Sequence, residues 1–344
     1  MVVGELRDRR AAALPAIAAL GGMVVPALIF VLIANGEARH GWGIPMATDI
    51  AFALGVVAIL GSRVPSALKV FLLTLAIVDD IGAIIVIAVF YSGALSMKWL
   101  IAAALITAVV VMMRKMGVRY LVAYVVTGFA LWLCVYKSGV HATIAGVVLG
   151  LLTPALAFLS PEQAEVIVDD LENRADLDAA EIRRVSFLLS ESVPVTDRLI
   201  HALHPWTSYV IVPIFALANA GIRFGPEATS SAGTGVAIAV AVGLVVGKIL
   251  GISLFSWAGI KARIGVLPEG VRFIQLVALS AVAGIGFTVS LFVAGLAYAD
   301  HPDLLQGAKI GILGASVLAA IAGSVALSVV AQRLPTSGGT STDE

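Results

Sequence analysis

Two adjacent aspartates, Asp79 and Asp80, lie at the midpoint of an apolar run that extends from about Val70 to Tyr91. A helix of that length crosses a bilayer, since each residue adds ~1.5 Å. Each ionised carboxylate at the centre of such a helix costs roughly 2.5–3.5 kcal/mol, and adjacent acids also repel one another. A cation, a proton or a basic partner must offset this cost. The pair therefore predicts a membrane transporter whose carboxylates carry a cation or protons.

Other polar residues within apolar runs are candidate partners for this pair. Successive helix residues point about 100° apart, so we expect one aspartate to face an ion path and the other a neighbouring helix. Lys248 is the only basic residue predicted at mid-span, and we predict it to be a counter-charge. Asp49 and Thr48 offer oxygens from a second helix, which suit a hard cation. The alternatives are a helix cap at Thr48–Asp49, a lysine that snorkels from a span end, and a purely structural acid pair.

The composition indicates a multi-span membrane protein. Hydrophobic residues make up 60% of the 344 residues and charged residues 13%, with a mean hydropathy of +1.03. A soluble globular chain is roughly a quarter charged. Basic and acidic residues number 22 each, which gives no indication of nucleic-acid binding. The lone cysteine, Cys134, excludes a disulfide framework within one chain and is best read as a small buried hydrophobe.

About ten apolar windows of spanning length predict an all-α, polytopic membrane fold. They fall near residues 11–35, 43–61, 68–91, 98–113, 118–136, 139–159, 206–222, 233–259, 271–298 and 307–332. An even number of spans puts both termini on one side. Lys and Arg are concentrated on that side, so the positive-inside rule predicts cytoplasmic termini.

Two of these spans carry polar and helix-breaking residues at mid-depth. In the second span they are Pro45, Thr48, Asp49 and Gly55; in the ninth they are Gly284, Gly286, Thr288 and Ser290. Interrupted spans in matching positions of two halves indicate discontinuous helices around a midplane site, although the glycines alone are also compatible with close helix packing. Spans one to three and eight to ten are the candidate inverted repeat.

Three histidines are candidate pH-responsive groups, because imidazole titrates near neutral pH. They are His141, His201 and His204. Each, taken alone, is more often structural or interfacial. A rival function, intramembrane aspartyl proteolysis, is disfavoured because it needs its two aspartates on separate helices. A passive cation channel could use the same acids.

Six motifs resemble the NhaA family of Na+/H+ antiporters, in the family's order, from about residue 12 to 332. They are ATDIAFALG (47–55), VDDIGAI (78–84), KSGVHAT (137–143), LHPW (203–206), GKILGI (247–252) and GIGFTVS (284–290). The resemblance implies electrogenic exchange of intracellular Na+ or Li+ for external protons across the bacterial inner membrane, in pH and sodium homeostasis. It also implies the inverted repeat with two crossing discontinuous helices, an arrangement for which the family is itself an example.

The resemblance further implies a role for each site residue. Asp80 is the principal Na+ ligand, and Asp79 joins it or pairs with Lys248 and exchanges protons. Thr48 and Asp49 lie in an extended break of the second span, where Asp49 balances helix-end dipoles. Lys248 is expected to do the same for the broken ninth span at 284–290.

The resemblance also implies a chain that begins at the third of the family's twelve spans. The missing pair includes the hairpin associated with dimerisation, so a homodimer is a less secure expectation. An inactive, N-terminally truncated fragment is therefore an alternative to a working antiporter. We expect Na+, Li+, H+ and membrane lipid as partners, no cofactor, no enzymatic activity and no nucleic acid.

Residues 1–344 are not separable into independent domains in sequence. We predict one membrane domain with an ion-binding core, interface helices, a cytoplasmic insert and a disordered tail rich in Ser, Thr and Gly. The membrane domain covers 11–332, the core 11–91 and 233–332, the interface helices 98–222, the insert 160–205 and the tail 333–344.

Overall fold

A computed structural model describes residues 9–93, 95–155, 178, 192–219, 221 and 230–332. Within those ranges the chain is helical, with connecting loops and no strand. Most of the predicted insert and the predicted disordered tail lie outside the described residues.

Twelve helical segments follow one another along the described part of the chain. They are α1 (Arg9–Ile33), the 3₁₀ segment α2 (Gly36–Met46), α3 (Ile50–Ile59), α4 (Ser66–Phe90), α5 (Met97–Lys115), α6 (Leu121–Lys137), α7 (Thr143–Leu152), α8 (Val195–Asn219), α9 (Ser231–Lys261), α10 (Phe273–Val282), α11 (Phe287–Ala297) and α12 (Pro302–Gln332). A short 3₁₀ turn, Gly61–Arg63, follows α3. Single π turns widen α8 at Thr207–Ile211 and α9 at Gly243–Gly247.

The helices match the predicted spans in number and order. Six of them, α1, α4, α5, α8, α9 and α12, are long and apolar enough to cross a membrane, and the bent pairs α2–α3 and α10–α11 raise the number to eight. The shorter apolar helices α6 and α7 occupy the two remaining predicted windows. The prediction of an all-α, polytopic membrane fold is confirmed.

Several predicted boundaries were wrong; the second span, for example, begins at Gly36 rather than near residue 43. Helix α8 begins at Val195, inside the predicted insert 160–205, rather than near residue 206. Its first turns carry Asp197 and Arg198, which lower the local hydropathy without ending the helix. Helix α7 begins at Thr143 rather than near residue 139, because Gly139 has a positive φ of 84° and ends the preceding turn.

The helices fall into two compact groups, each described by itself. Group 1 comprises the described residues of Met1–Val89 and Ala216–Glu344, and thus contains α1 to α4 and α9 to α12. Group 2 comprises Phe90–Phe215, with α5, α6, α7 and most of α8. The predicted roles of the core and interface helices stay predictions.

In group 1, glycines let helix backbones touch. Helix α1 packs along α9, where a β carbon on Gly251 would lie 2.7 Å from the carbonyl carbon of Gly21. Helix α12 packs against the start of α9, where a β carbon on Gly307 would lie 2.6 Å from the carbonyl carbon of Gly233. Helices in lipid associate mainly through such close van der Waals packing. The two contacts fix α9, which carries Lys248.

A buried apolar cluster of group 1 holds α4, with its two aspartates, beside both broken spans. Helices α1, α3, α4 and α10 all contribute to it, and its members include Ala53, Val57, Leu68, Leu72, Leu276 and Leu279. Their side chains are at most 2% exposed. The carboxylates of α4 therefore project from a helix that is fixed on one side by well-packed residues.

Group 2 has its own small core between α5, α6 and α7. Cys134 is buried there as a free cysteine, in a cluster with Ala103, Leu131 and Ala145. The loops at one end are joined by backbone hydrogen bonds, from the Gly93 N–H to the Gly139 carbonyl at 3.1 Å and from the Ser96 N–H to the Ser138 carbonyl at 2.9 Å.

The glycine contact between α1 and α9 predicts a size limit at residue 251. Gly251→Val is expected to lower stability by about 1–3 kcal/mol, because the added carbons force the two helices apart. Thermal unfolding of the purified protein in detergent, followed by tryptophan fluorescence, measures the effect. The control is Gly314→Val on α12, where a β carbon meets nothing within 4 Å. Equal midpoints for the two variants would contradict the close contact.

Candidate ion-binding site

The second span is interrupted between α2 and α3, as predicted. The two segments are bent by 50°, and Ala47 and Asp49 between them have extended backbone angles. Pro45, in the last turn of α2, has no N–H to continue the hydrogen-bond ladder. Asp49 is the N-cap of α3, and its Oδ1 accepts a hydrogen bond from the Phe52 N–H at 3.2 Å. The local sequence thus ends one segment and starts the next.

The ninth span is interrupted in the same way between α10 and α11, which are bent by 52°. Gly284 and Gly286 lie in the break, and both face α9. A β carbon on Gly284 would lie 2.6 Å from the Leu244 carbonyl oxygen, and one on Gly286 would lie 2.8 Å from Leu244 Cδ2. These glycines allow the break to approach α9 closely. The glycines therefore serve close helix packing and also lie in a helix break, the two possibilities that the sequence offered.

The two breaks cross and satisfy one another's free backbone groups. The Asp49 N–H donates to the Ile285 carbonyl at 2.6 Å, and the Thr48 hydroxyl donates to the Ala283 carbonyl at 2.9 Å. The Phe52 and Phe287 rings meet edge to face beside the crossing, with centroids 5.0 Å apart. Carbonyls at the end of a helix have no partner within that helix, so the second span supplies the partners for the end of α10.

The Asp49 carboxylate is held by the starts of two helices. Its Oδ2 accepts hydrogen bonds from the Thr288 N–H at 2.9 Å and the Thr288 hydroxyl at 2.6 Å, while its Oδ1 caps α3. The residue is only 3% exposed. A negative charge is stabilised at helix N-termini by the aligned peptide dipoles. This geometry favours the capping role for Asp49, which the sequence left open beside ion binding.

Lys248 and Asp79 form a fully buried ion pair. The ammonium lies 2.6 Å from Asp79 Oδ2, and both side chains are 0% exposed. The ammonium also donates to the carbonyl of Met46, the last residue of α2. The Thr48 hydroxyl is 2.9 Å from the same Asp79 oxygen. The lysine therefore contacts the break of the second span, and its expected balancing of the helix ends at 284–290 stays a prediction.

Asp80, the next residue, is partly exposed and has no such cationic contact within hydrogen-bonding distance among the described residues. It lies within electrostatic range of Asp79, Lys248 and Asp49. Its Oδ1 is buried, as is Asp79 Oδ1, and neither oxygen has a hydrogen-bond donor in the described part of the chain. Buried polar atoms are almost always paired. Each of these two unpaired carboxylate oxygens is therefore available to a proton or a cation.

The remaining predicted residues lie in two places. Ser290 is fully buried in α11, and its hydroxyl donates to the Ile44 carbonyl at 2.7 Å. The three histidines belong to group 2, where His141 precedes α7 and both His201 and His204 are exposed on α8. Their pH response stays a prediction.

Several groups at the crossing were missed from the sequence. The acceptors at Met46, Ala283 and Ile285 are backbone carbonyls, which no residue type identifies. The predicted breaks were the available signal, since an interrupted helix frees carbonyls on one side. Tyr298 was also missed; it is fully buried at the end of α11, and its hydroxyl donates to the Ala38 carbonyl at 2.5 Å.

Comparison with known proteins identifies the family. The Na+/H+ antiporter 1 family matches residues 1–327. The chain belongs to this family of Na+/H+ antiporters. The family resemblance carried by the six motifs is thereby confirmed, and the protein is a multi-pass membrane protein of an antiporter family.

Relatives of this chain come from several bacteria. It is 46% identical to Na(+)/H(+) antiporter NhaA 2 of Myxococcus xanthus over 329 residues, which cover 92% of this chain and 70% of the relative. It is 47% identical to Na(+)/H(+) antiporter NhaA of Rhodopirellula baltica, covering 93% and 74% of the two chains. The NhaA of Escherichia coli O6:H1 is 43% identical, with coverage of 94% and 76%.

The buried ion pair predicts a non-additive response to mutation. Lys248→Met leaves the Asp79 carboxylate buried without its counter-charge, which is expected to cost about 3–5 kcal/mol of stability. Adding Asp79→Asn removes that charge, so the double variant is expected to be more stable than Lys248→Met alone. Thermal unfolding in mildly alkaline buffer compares the two variants and the Asp79→Asn single variant. Additive losses would rule out the direct pair.

Proposed function

We propose that this protein exchanges cytoplasmic Na+ or Li+ for external protons across the bacterial inner membrane, with both termini in the cytoplasm. Membership of the antiporter family supports the class of reaction. The observation that carries the site assignment is the pair of buried, donor-free oxygens on Asp79 and Asp80, beside a buried lysine. Oxygen ligands of this kind suit a hard cation such as Na+.

The charges around the site explain why the two ions exclude each other. The Lys248 ammonium balances Asp79, and two helix starts stabilise Asp49, which leaves Asp80 as the uncompensated charge. Either a proton or Na+ on Asp80 neutralises it. Both ions need the same carboxylate oxygen, so binding of one displaces the other.

The same charges supply the coupling between Na+ and proton movement. With Asp80 empty and ionised, the site carries a net negative charge, which is costly to expose to an apolar barrier. A proton or Na+ on Asp80 cancels the charge of that carboxylate, and the access of the loaded site can then change sides. Exchange therefore proceeds only through loaded states. The two helix breaks offer flexible backbone for that change of access, since helix segments on either side of a break can reorient.

The Lys248–Asp79 pair supplies a route to electrogenic exchange. When Na+ draws Asp79 towards Asp80, the lysine loses its carboxylate partner in a buried setting, where its charged form is costly. Release of that proton adds a second proton to the one displaced from Asp80. Net charge then moves in each cycle, and the membrane potential contributes about 2.3 kcal/mol per charge per 100 mV.

In the cell, this exchange serves sodium and pH homeostasis in our proposal. His141, His201 and His204 are the candidate groups for pH response, and a homodimer is the candidate assembly. The passive cation channel remains the second function to be tested, because it needs the same acids but moves Na+ without protons.

The first test is neutralisation of Asp80. Asp80→Asn is expected to reduce sodium-dependent proton movement in proteoliposomes to the background of empty vesicles, because an amide neither releases a proton nor balances Na+. A pH-sensitive dye inside the vesicles and 22Na uptake together measure the exchange. Glu269→Gln, at an exposed loop carboxylate, is the matched control and is expected to retain wild-type exchange. Substantial exchange by Asp80→Asn would reject the assignment, and wild-type Na+ flux without proton counterflow would favour the channel.

The second test is the pH dependence of the apparent KM for Na+. A single competing proton raises that KM about tenfold for each unit by which the pH falls, once the site is protonated. Two competing protons, as electrogenic exchange requires, raise it by up to about a hundredfold. Initial rates of Na+-driven proton release at several pH values give the slope. A KM independent of pH would contradict competition for shared oxygens.

A further inference from the structure

Helix α11 holds the 3₁₀ segment α2 through two side-chain hydroxyls. The Tyr298 hydroxyl donates to the Ala38 carbonyl at 2.5 Å, near the start of α2, and the Ser290 hydroxyl donates to the Ile44 carbonyl at 2.7 Å, near its end. Both side chains are 0% exposed. A 3₁₀ segment has poorer internal hydrogen bonds than an α-helix. The two external hydroxyl donors therefore help to fix its shape.

The Tyr298 ring also packs on the irregular middle of α2. Gly41 departs from helical geometry, with φ −81° and ψ 15°. A β carbon on Gly41 would lie 2.6 Å from Tyr298 Cζ and 2.8 Å from Ile44 Cδ1. The ring thus lies directly against the backbone at the kink, and any larger residue at position 41 would displace it. Tyr298 therefore contacts α2 twice, through its hydroxyl at the start of the segment and through its ring at the kink.

The end of α2 is the part that reaches the charged site. Its last residue, Met46, offers the carbonyl that accepts the Lys248 ammonium. The carbonyl held by Ser290 lies only two residues earlier in the chain. A displacement of α2 along α11 therefore moves the Met46 carbonyl relative to Lys248, whose own helix is fixed against α1 and α12.

We propose that Tyr298 is a positioning residue for the Lys248–Asp79 pair, because it holds α2 where the Met46 carbonyl meets the lysine. The inference rests on the proposed exchange of Na+ for protons. Without that carbonyl, the ammonium depends more strongly on Asp79 as its acceptor. Na+ then competes against a tighter pair, and its apparent affinity falls while the maximal rate is retained.

A matched pair of tyrosine variants tests the proposal. Tyr298→Phe keeps the ring and removes the hydroxyl. Tyr124→Phe makes the same change in group 2, where Tyr124 is also 0% exposed and its hydroxyl donates to the Val118 carbonyl at 3.0 Å. We expect Tyr298→Phe to raise the apparent KM for Na+ by a factor of about three to ten, the range given by one buried hydrogen bond, and to shift the pH profile. Tyr124→Phe is expected to change neither.

Ser290→Ala provides a second variant in case Tyr298→Phe does not fold, as judged by size-exclusion chromatography. It removes the other hydroxyl of α11 that donates to α2, and it is also expected to raise the apparent KM for Na+. The proposal is overturned if the folded variants of Tyr298 and Ser290 have the KM and pH profile of the wild type, or if Tyr124→Phe shifts them equally. Absence of exchange by the wild-type protein would instead reject the proposed function.

Discussion

A helix that stops inside an apolar environment leaves N–H and carbonyl groups that water cannot satisfy. Two such interruptions, at residues 47–49 and 283–286, cross in this protein, and the rest of the site follows from that constraint. The Asp49 carboxylate serves the starts of α3 and α11, while the Asp49 N–H and the Thr48 hydroxyl serve the end of α10. The end of α2 is served by the Lys248 ammonium. Each helix end thus receives a group of complementary charge or polarity.

This arrangement assigns the charged residues to different tasks. Asp49 and Lys248 are occupied by helix ends, and Lys248 also engages one oxygen of Asp79. What remains is one oxygen on each of the two α4 aspartates, both buried and without a donor. Adjacent residues of one helix point in different directions. Here Asp79 points towards Lys248 and pairs with it, whereas Asp80 does not. Because Asp49 and Lys248 are engaged in holding the structure together, Asp80 is the charged residue that is left to bind an ion.

The sequence was informative at positions where a charged or helix-breaking residue in a membrane span carries a high free-energy cost. The adjacent acids, the mid-span lysine and the interruptions near Pro45 and Gly284 all violate the expectations for an ordinary apolar span, and each lies at the crossing. The choice of Asp79 over Asp80 as the partner of Lys248 depends on the rotation of α4 and α9 against one another, so the residues alone left it open; the family resemblance gave this pairing as one of two roles for Asp79. The start of α8 was missed because an amphipathic first turn resembles a loop in hydropathy. Backbone acceptors such as the Met46 carbonyl have no signature in residue type.

The π turn at Gly243–Gly247 ends immediately before Lys248. Such a turn holds one residue more than a regular α-helical turn, so it rotates everything that follows by about 100° relative to an uninterrupted helix. The part of α9 before the turn is docked on α12 at Gly233, and the part after it is docked on α1 at Gly251. With the extra residue, Gly233 faces α12 and Gly251 faces α1 in the same helix. Its loss would direct the ammonium towards another side of the helix, so this one extra residue determines where the positive charge of Lys248 is delivered.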